Sequence, residues 1–299
     1  MSFTGGHHSY VSDALTVTSA HDNPALAENW NRIVVPEEIK ERILNHAILA
    51  IELRKHGIGG VGLPLHGLVL LSGPPGIGKT SLARGLGSEV ARVFGTRYGT
   101  VRVVDVNMHI LPSELLGRTQ RNIVQLFEEE LPQLAEEGPL VVVLDEVEVL
   151  AVSRSQASMD INPADVFRGT AALLGALDWI SREVPGAFVV GTTNLPGMLD
   201  AAVVSRADLV LELPLPTASV IRDILADTLN EIHSLFPTPV PLADAPELAE
   251  IAEILIGIDG RQTRKFVADV LASRRETALD PSKLTIDLLH QMAKERVGG

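Results

Sequence analysis

Short apolar segments alternate with longer amphipathic segments through the first two thirds of the chain. Five apolar segments have the length of buried strands, and they comprise residues 68–71, 101–106, 139–144, 187–193 and 209–213. In the segments between them, apolar residues recur at the three- and four-residue spacing of a helix. Strands that alternate with helices predict a parallel sheet covered on both faces, so the predicted fold class is α/β.

The pattern changes after Pro214 and Pro216. No further strand pattern follows, and helical spacing is found over residues 219–229, 246–255, 261–277 and 286–296. The start of the chain differs again, because it is rich in Gly, Ser, His and Asp and has no sustained period. We therefore predict a flexible N-terminal arm over residues 1–28, a large domain over 29–214 and a small helical domain over 215–299.

The composition is that of a folded protein, with 45% hydrophobic and 21% charged residues. The net charge of -13 disfavours nucleic acid as a partner, because binding a phosphate backbone normally needs a surplus of Lys and Arg. The absence of Cys excludes disulfides and thiolate metal sites. The first residues do not resemble a signal peptide, and no apolar run approaches the ~20 residues that span a bilayer. We therefore expect a cytoplasmic protein with no membrane partner.

A glycine-rich segment at residues 73–80 fits the P-loop pattern G-x-x-x-x-G-K-S/T. It follows a predicted strand and opens a predicted helix, so its backbone N–H groups and the helix N-terminus would face a phosphate chain. Lys79 would reach the β- and γ-phosphates, and the Thr80 hydroxyl would bind Mg²⁺. The predicted ATP-binding residues here are Gly73, Pro74, Pro75, Gly76, Ile77, Gly78, Lys79, Thr80 and Ser81.

Three polar side chains are predicted at strand ends, where ligands bind in open α/β sheets. Asp145 and Glu146 follow the apolar strand 139–144, and Asn194 follows the strand 187–193. We predict that Asp145 holds Mg²⁺ and that Glu146 is the general base for an attacking water, a role worth about 10²–10⁴ in rate. Asn194 would touch both the γ-phosphate and that water.

Two arginines are candidates for contacts with the transferred phosphate. Arg206 lies in a polar break before the strand 209–213, outside its own P-loop site, and could reach a neighbouring subunit's γ-phosphate. Arg261 follows Gly260 at the start of a predicted helix and could lie across the phosphates. Both are also consistent with ordinary solvated arginines.

Taken together, these motifs resemble those of an AAA+ ATPase. The segment 30–33 resembles the entry segment that lines the adenine pocket in that superfamily. The resemblance of this segment implies adenine contacts for Ile33 and Val34. Within that superfamily the chain resembles the pachytene-checkpoint family, which remodels HORMA-domain proteins. Four stretches carry this second resemblance: residues 107–109, 144–150, 205–208 and 260–265. The resemblance implies a P-loop NTPase of the AAA+ type, with a five-stranded parallel sheet and a small helical lid domain.

The same resemblance implies a homo-hexamer in which Arg206 acts in trans. It also implies a loop with Leu115, Leu116 and Gly117 that projects into a central pore, although such loops usually carry an aromatic residue. The implied substrate is a HORMA-domain protein, and compact members of this kind are similar to those that act in antiphage signalling beside nucleotide-second-messenger synthases. Eukaryotic members carry an N-terminal adaptor-binding domain, whereas only about 28 residues precede the ATPase region here, too few to fold alone. We therefore expect the substrate to be engaged directly or by a separate partner.

Other functions remain open at this point. A P-loop small-molecule kinase is disfavoured by the Asp145–Glu146 pair, by Asn194 and by the helical lid. A DNA-serving AAA+ module is disfavoured by the acidic charge balance. An ATP-binding scaffold is disfavoured by an intact Glu146, and a general unfoldase with many clients is the main alternative to a HORMA remodeller.

Overall fold

A computed structural model describes residues 12–21, 23–58, 65–95, 97–113, 117–151, 163–237 and 241–298. The chain divides into two compact units. The first holds residues 1–32, 37–73 and 79–212, and the second holds residues 33–36, 74–78 and 213–299. The short segments 33–36 and 74–78 therefore group with the C-terminal residues, although they lie far from them in sequence.

The first unit is built on a six-stranded sheet. In chain order the strands are β1 (Leu15–Ser19), β2 (Leu68–Ser72), β3 (Arg102–Asn107), β4 (Leu140–Asp145), β5 (Ala187–Thr193) and β6 (Leu209–Glu212). Their order across the sheet is β1-β3-β4-β5-β2-β6, and all pairs except β1–β3 are parallel. The strands β2 and β5 are buried along their whole length, as expected for a parallel sheet covered on both faces.

The prediction of five strands is wrong by one. Residues 15–19, within the predicted flexible arm, form β1, which pairs antiparallel with β3 and sets Leu15 opposite Val106. The strand is an edge strand of five residues, and only part of it is shielded from solvent. Its sequence therefore lacks the continuous apolar run by which the central strands are recognised.

Helices surround this sheet. They are α1 (Pro24–Arg32), α2 (Glu37–Lys55), α3 (Lys79–Phe94), α4 (Arg118–Val124), α5 (Leu131–Ala135), α6 (Pro163–Glu183) and α7 (Ala201–Val204). A π-helical segment, Gln125–Glu130, joins α4 to α5, so the helical segment predicted between the strands 101–106 and 139–144 is one continuous run with a widened middle. Short 3₁₀ turns occur at Ser12–Ala14, Val147–Val149 and Pro196–Met198.

The second unit is helical, as predicted. Its helices are α8 (Ala218–Leu235), α9 (Leu248–Ile254), α10 (Gly260–Ala272), α11 (Arg275–Leu279) and α12 (Ile286–Gly298), with 3₁₀ turns at Leu242–Asp244 and Pro281–Lys283. They enclose a separate apolar core that includes Ile221, Ile251 and Phe266. The single helix predicted over 261–277 is two helices, and the Thr277 hydroxyl donates to the carbonyls of Leu271 and Arg274 across the break between them.

Among the described residues, none of the helices combines the length and the apolar character that a membrane crossing requires.

Candidate active site

The central strands bring the predicted catalytic residues to one edge of the sheet. Glu146 follows β4, Asn194 follows β5, and Lys79 opens α3 after the loop that leaves β2. Because β4, β5 and β2 are parallel neighbours, their carboxyl ends meet at the same edge. Residues separated by more than 110 positions in the sequence therefore become hydrogen-bonding partners, as between Lys79 and Asn194.

Lys79 is the buried cation of this site. The residue is only 6% exposed. Its Nζ donates to the Gly73 carbonyl at 2.8 Å and to Asn194 Oδ1 at 2.8 Å. Burial lowers the pKa of the Lys79 ammonium below its ordinary value. That shift is opposed by the negative charges of Glu148, Asp145 and Glu146.

The Asp145 carboxylate lies next to two hydroxyl groups, and a hard cation such as Mg²⁺ prefers oxygen ligands of this kind. Its Oδ1 accepts from the Thr80 hydroxyl at 2.6 Å and from the Thr192 hydroxyl at 2.5 Å. A carboxylate beside the P-loop hydroxyl matches the way Mg²⁺ is held, through one or two protein oxygens with the rest of its shell from water and phosphate. The residues predicted to hold Mg²⁺ thus fit the ion in chemistry and in position.

Glu146 occupies an unusual backbone conformation. With φ 55° and ψ 56°, it is left-handed, and it is the sole non-glycine residue with positive φ in the described part of the chain. Such strain costs of order 1–3 kcal/mol and tends to occur at functional sites. The backbone N–H is held by Thr192 Oγ1 at 3.2 Å, which fixes the turn.

The Glu146 carboxylate is shared between two neighbours. Oε2 lies 2.8 Å from His109 Nε2, and Oε1 accepts from Asn194 Nδ2 at 3.4 Å. The Glu146 side chain is 45% exposed, so water can reach it. Since Asn194 Oδ1 accepts from Lys79, the one amide side chain connects the P-loop cation to the predicted base.

Arg206 lies apart from this cluster. It follows α7, and its guanidinium donates to both oxygens of Asp178 on α6 and to the Ala202 carbonyl. None of these hydrogen bonds goes to the polar cluster at the carboxyl ends of β2, β4 and β5. The predicted trans contact of Arg206 therefore stays a prediction.

In the second unit, the loop segment 74–78 contacts the start of α10. The Arg261 N–H donates to the Gly76 carbonyl at 3.2 Å, and Asp259 caps α10 by accepting from the Gln262 N–H at 2.8 Å. Gly76 has φ +83°, and a Cβ there would collide with the Asp259 carboxylate, so the position requires glycine. The Arg261 side chain is exposed.

Ile33 also lies against this loop segment. Gly78 has φ +95°, and a Cβ there would collide with the Ile33 side chain. Ile33 and Val34 are both half-buried. An apolar residue thus packs beside the glycine that precedes Lys79. The adenine contacts of Ile33 and Val34 stay a prediction.

The predicted pore residues Leu115 and Leu116 lie outside the described residues. The flanking chain is described: Thr119 Oγ1 accepts from the Ser113 N–H at 2.9 Å across the base of this loop. Gly117 has φ +73° and precedes α4.

Three polar residues that contact the cluster at the carboxyl ends of β2, β4 and β5 were not predicted as site residues from the sequence. His109 contacts Glu146, Thr192 contacts Asp145, and Glu148 accepts from the Asn194 N–H at 3.1 Å. His109 and Glu148 fall within stretches that carried the family resemblance, but no pattern in a single sequence indicates their contacts. Thr192 lies near the carboxyl end of the buried strand β5, where a polar residue indicates a candidate site residue.

The chain is similar to proteins of known family. A family model for the "ATPase family associated with various cellular activities (AAA)" matches residues 69–215. CD-NTase-associated protein 6 from Pseudomonas aeruginosa is 40% identical over 271 residues, which cover 91% of this chain and 88% of that protein. The pachytene checkpoint protein 2 homolog of Arabidopsis thaliana is 32% identical over 206 residues, or 69% of this chain but only 44% of that longer protein.

Two solved structures share the fold. The C. elegans PCH-2 structure superposes with a TM-score of 0.77 at 23% identity, over 96% of this chain and 76% of that one. A chain in the E. coli MS115-1 HORMA:CdnC:Trip13 complex superposes with a TM-score of 0.76 at 18% identity, over 95% and 96% of the two chains.

Proposed function

Because this chain belongs to the AAA family of ATPases, with CD-NTase-associated protein 6 and the pachytene checkpoint protein 2 homologues as relatives, we propose that it couples ATP hydrolysis to the remodelling of a HORMA-domain protein. The observation that carries the proposal is the 40% identity to CD-NTase-associated protein 6 over 91% of the chain. The E. coli chain that shares the fold comes from a HORMA:CdnC:Trip13 complex, which is in keeping with the same partner. The pathway we propose is antiphage signalling beside a nucleotide-second-messenger synthase, in the cytoplasm.

ATP binding is assigned to the P-loop and its neighbours. The backbone N–H groups of Gly73 and of residues 76–81 face the phosphates, since Pro74 and Pro75 have no N–H, and the Lys79 ammonium pairs with the β- and γ-phosphates. Ile33 and Val34 contact adenine, and Arg261 contacts the phosphates from the start of α10. Thr80 and Asp145 hold Mg²⁺, which when bound offsets negative charge on the phosphate oxygens.

Hydrolysis is assigned to the cluster at the carboxyl edge of the sheet. Glu146 takes a proton from a water whose oxygen attacks the γ-phosphorus, while the bond from phosphorus to the bridging oxygen breaks and ADP leaves with the electron pair. Asn194 orients the water and the γ-phosphate, since its amide already joins Lys79 to Glu146. Arg206 stabilises the charge on a neighbouring subunit's γ-phosphate.

Remodelling is assigned to a ring hexamer. Leu115, Leu116 and Gly117 form a pore loop that grips an extended segment of the HORMA protein. Pulling such a segment needs only local unfolding of the target, which costs less than its global stability. One or a few ATP cycles are then enough to release a bound peptide.

A substrate-trapping experiment tests this proposal. Glu146→Gln protein, immobilised and loaded with ATP, is expected to retain a HORMA-domain protein that it releases when ATP is replaced by ADP. The matched control is Glu253→Gln, which makes the same change on an exposed face of α9. Capture of unrelated unfolded proteins as readily as the HORMA protein favours a general unfoldase and contradicts the proposal.

The kinase alternative is distinguished by the dependence of activity on protein concentration. An enzyme whose sites are completed by a neighbour gains specific ATPase activity as it assembles. A monomeric kinase has constant specific activity and needs an acceptor molecule.

A further inference from the structure

Glu148 is a third carboxylate at the active-site edge that has no part in the hydrolysis scheme above. It lies in the 3₁₀ turn Val147–Val149, directly after Asp145 and Glu146. Its Oε1 accepts a hydrogen bond from the Asn194 backbone N–H at 3.1 Å. Its Oε2 is fully enclosed and has no hydrogen-bond partner within the described residues.

An enclosed carboxylate oxygen without a donor is unfavourable for folding. Leaving a buried charged acceptor unsatisfied costs about 1–3 kcal/mol or more. A residue that breaks a local rule of stability in this way tends to mark a functional site. The role of Glu148 can therefore be inferred from the hydrogen bond that it does make.

The hydrogen-bonded contact of Glu148 is with Asn194. It holds the backbone of Asn194, the first residue after β5. The Asn194 side chain in turn accepts from Lys79 and donates to Glu146.

We propose that Glu148 is a positioning residue for ATP hydrolysis. It fixes the backbone of Asn194 so that the amide spans Lys79 and Glu146. Glu148 acts through Asn194 and does not touch the reacting phosphate. This inference rests on the hydrolytic roles proposed for Glu146 and Asn194.

The test compares single and double variants in steady-state ATPase kinetics and in fluorescent-nucleotide binding. Glu148→Ala removes the acceptor and the charge, whereas Glu148→Gln removes the charge and keeps an acceptor oxygen. A charge-assisted hydrogen bond is worth about 1.5–3 kcal/mol, so we expect Glu148→Ala to lower kcat about 10- to 100-fold. We expect ATP affinity to change less than about 3-fold, and Glu148→Gln to recover part of the lost kcat.

A double-mutant cycle separates positioning from a general loss of stability. If Glu148 acts through Asn194, then Glu148→Ala combined with Asn194→Ala is no slower than Asn194→Ala alone. Losses that multiply in the double variant would overturn the proposal, as would a Glu148→Ala enzyme with normal kcat. Glu253→Ala, an exposed carboxylate deletion on α9, is the control and is expected to keep normal kcat.

The outcomes also separate this inference from the function on which it rests. A Glu146→Gln protein with normal turnover overturns the hydrolytic site itself. A Glu146→Gln protein without turnover, beside normal kcat in Glu148→Ala, overturns the role of Glu148 alone. If thermal unfolding shows that Glu148→Ala does not fold, Glu148→Gln carries the test. A Glu148→Gln protein with normal kcat, or one whose loss multiplies with that of Asn194→Ala, then contradicts the proposal.

Discussion

Arg206 donates two hydrogen bonds to the carboxylate of Asp178, from Nε at 2.7 Å and from Nη2 at 2.8 Å. A third goes from Nη1 to the Ala202 carbonyl at 2.9 Å. The hydrogen bonds from Arg206 hold the pKa of Asp178 below its ordinary value. A guanidinium has five N–H donors, so this pairing orients the group and leaves two donors for a further acceptor.

The first prediction concerns Arg206 as a trans contact. We expect Arg206→Ala to keep its affinity for ATP and to lose about 10³- to 10⁵-fold in hydrolysis rate, the range for an arginine finger. The partly exposed pair with Asp178 contributes about 0–1 kcal/mol, so the loss would not reflect unfolding. Rate and affinity are measured on the same preparation.

Mixing supplies the control for that prediction. Arg206→Ala and Lys79→Ala proteins, each inactive alone, are expected to regain some activity together, because a mixed interface can pair an intact Lys79 with an intact Arg206. No recovery in assemblies shown to be mixed counts against the trans role.

The second prediction concerns backbone strain at Glu146. A residue with a side chain loses about 1–2 kcal/mol of folding free energy by adopting this left-handed conformation. Glycine avoids that cost, but folding costs it about 0.5–1 kcal/mol more in backbone entropy. We therefore expect Glu146→Gly to be more stable than Glu146→Ala by about 0.5–1 kcal/mol in urea unfolding, with both inactive. Equal stabilities would show that the turn relaxes without cost.

The third prediction concerns a buried arginine outside the site. Arg54 donates to four carbonyls, namely those of Ile180, Ser181, Val184 and Ala187, and burial lowers its pKa to about 10. Arg54→Met would remove four hydrogen bonds from a buried charged donor, and only the Ile180 and Val184 carbonyls have a backbone N–H donor besides Arg54 among the turn and loop hydrogen bonds of the described residues. We therefore expect a loss of about 3 kcal/mol or more in unfolding free energy. Arg222→Met is the control: it removes an exposed arginine paired with Asp223, and a change of at most about 0.5 kcal/mol is expected.

The fourth prediction concerns the proposed pore loop. Leu115→Ala with Leu116→Ala is expected to keep basal ATPase activity and to abolish release of a HORMA protein, because apolar grip is lost while the nucleotide site is unchanged. Size-exclusion chromatography and ATPase assays are run together. Loss of both assembly and basal activity would instead assign the pair a structural role.

Local patterns in the sequence predicted much of the fold. The five strands of the parallel sheet were predicted because each is a run of apolar residues, and the P-loop because its glycines and Lys79 have fixed spacing. The AAA resemblance and the fold class are confirmed by the family model and by the relatives. β1 was not predicted, because an edge strand of five residues gives little periodic signal.

The contacts within the site could not be predicted in the same way. Glu148, His109 and Asp178 matter through partners 28 to 46 residues away in sequence, and only the packed sheet brings them together. The positive φ of Glu146 likewise depends on the Thr192 hydroxyl on the neighbouring strand. A single sequence carries no pattern for such tertiary pairs.

The most direct test of the central claim is the ATP-dependent release of a peptide from a closed HORMA-domain complex. The ATPase, the complex and ATP are incubated, and the free HORMA protein is separated by size and quantified. We predict release that requires ATP and is lost in the Glu146→Gln protein, which still binds ATP. A complex that stays intact with the active enzyme, beside ATP-driven unfolding of an unrelated tagged protein, would contradict the claim.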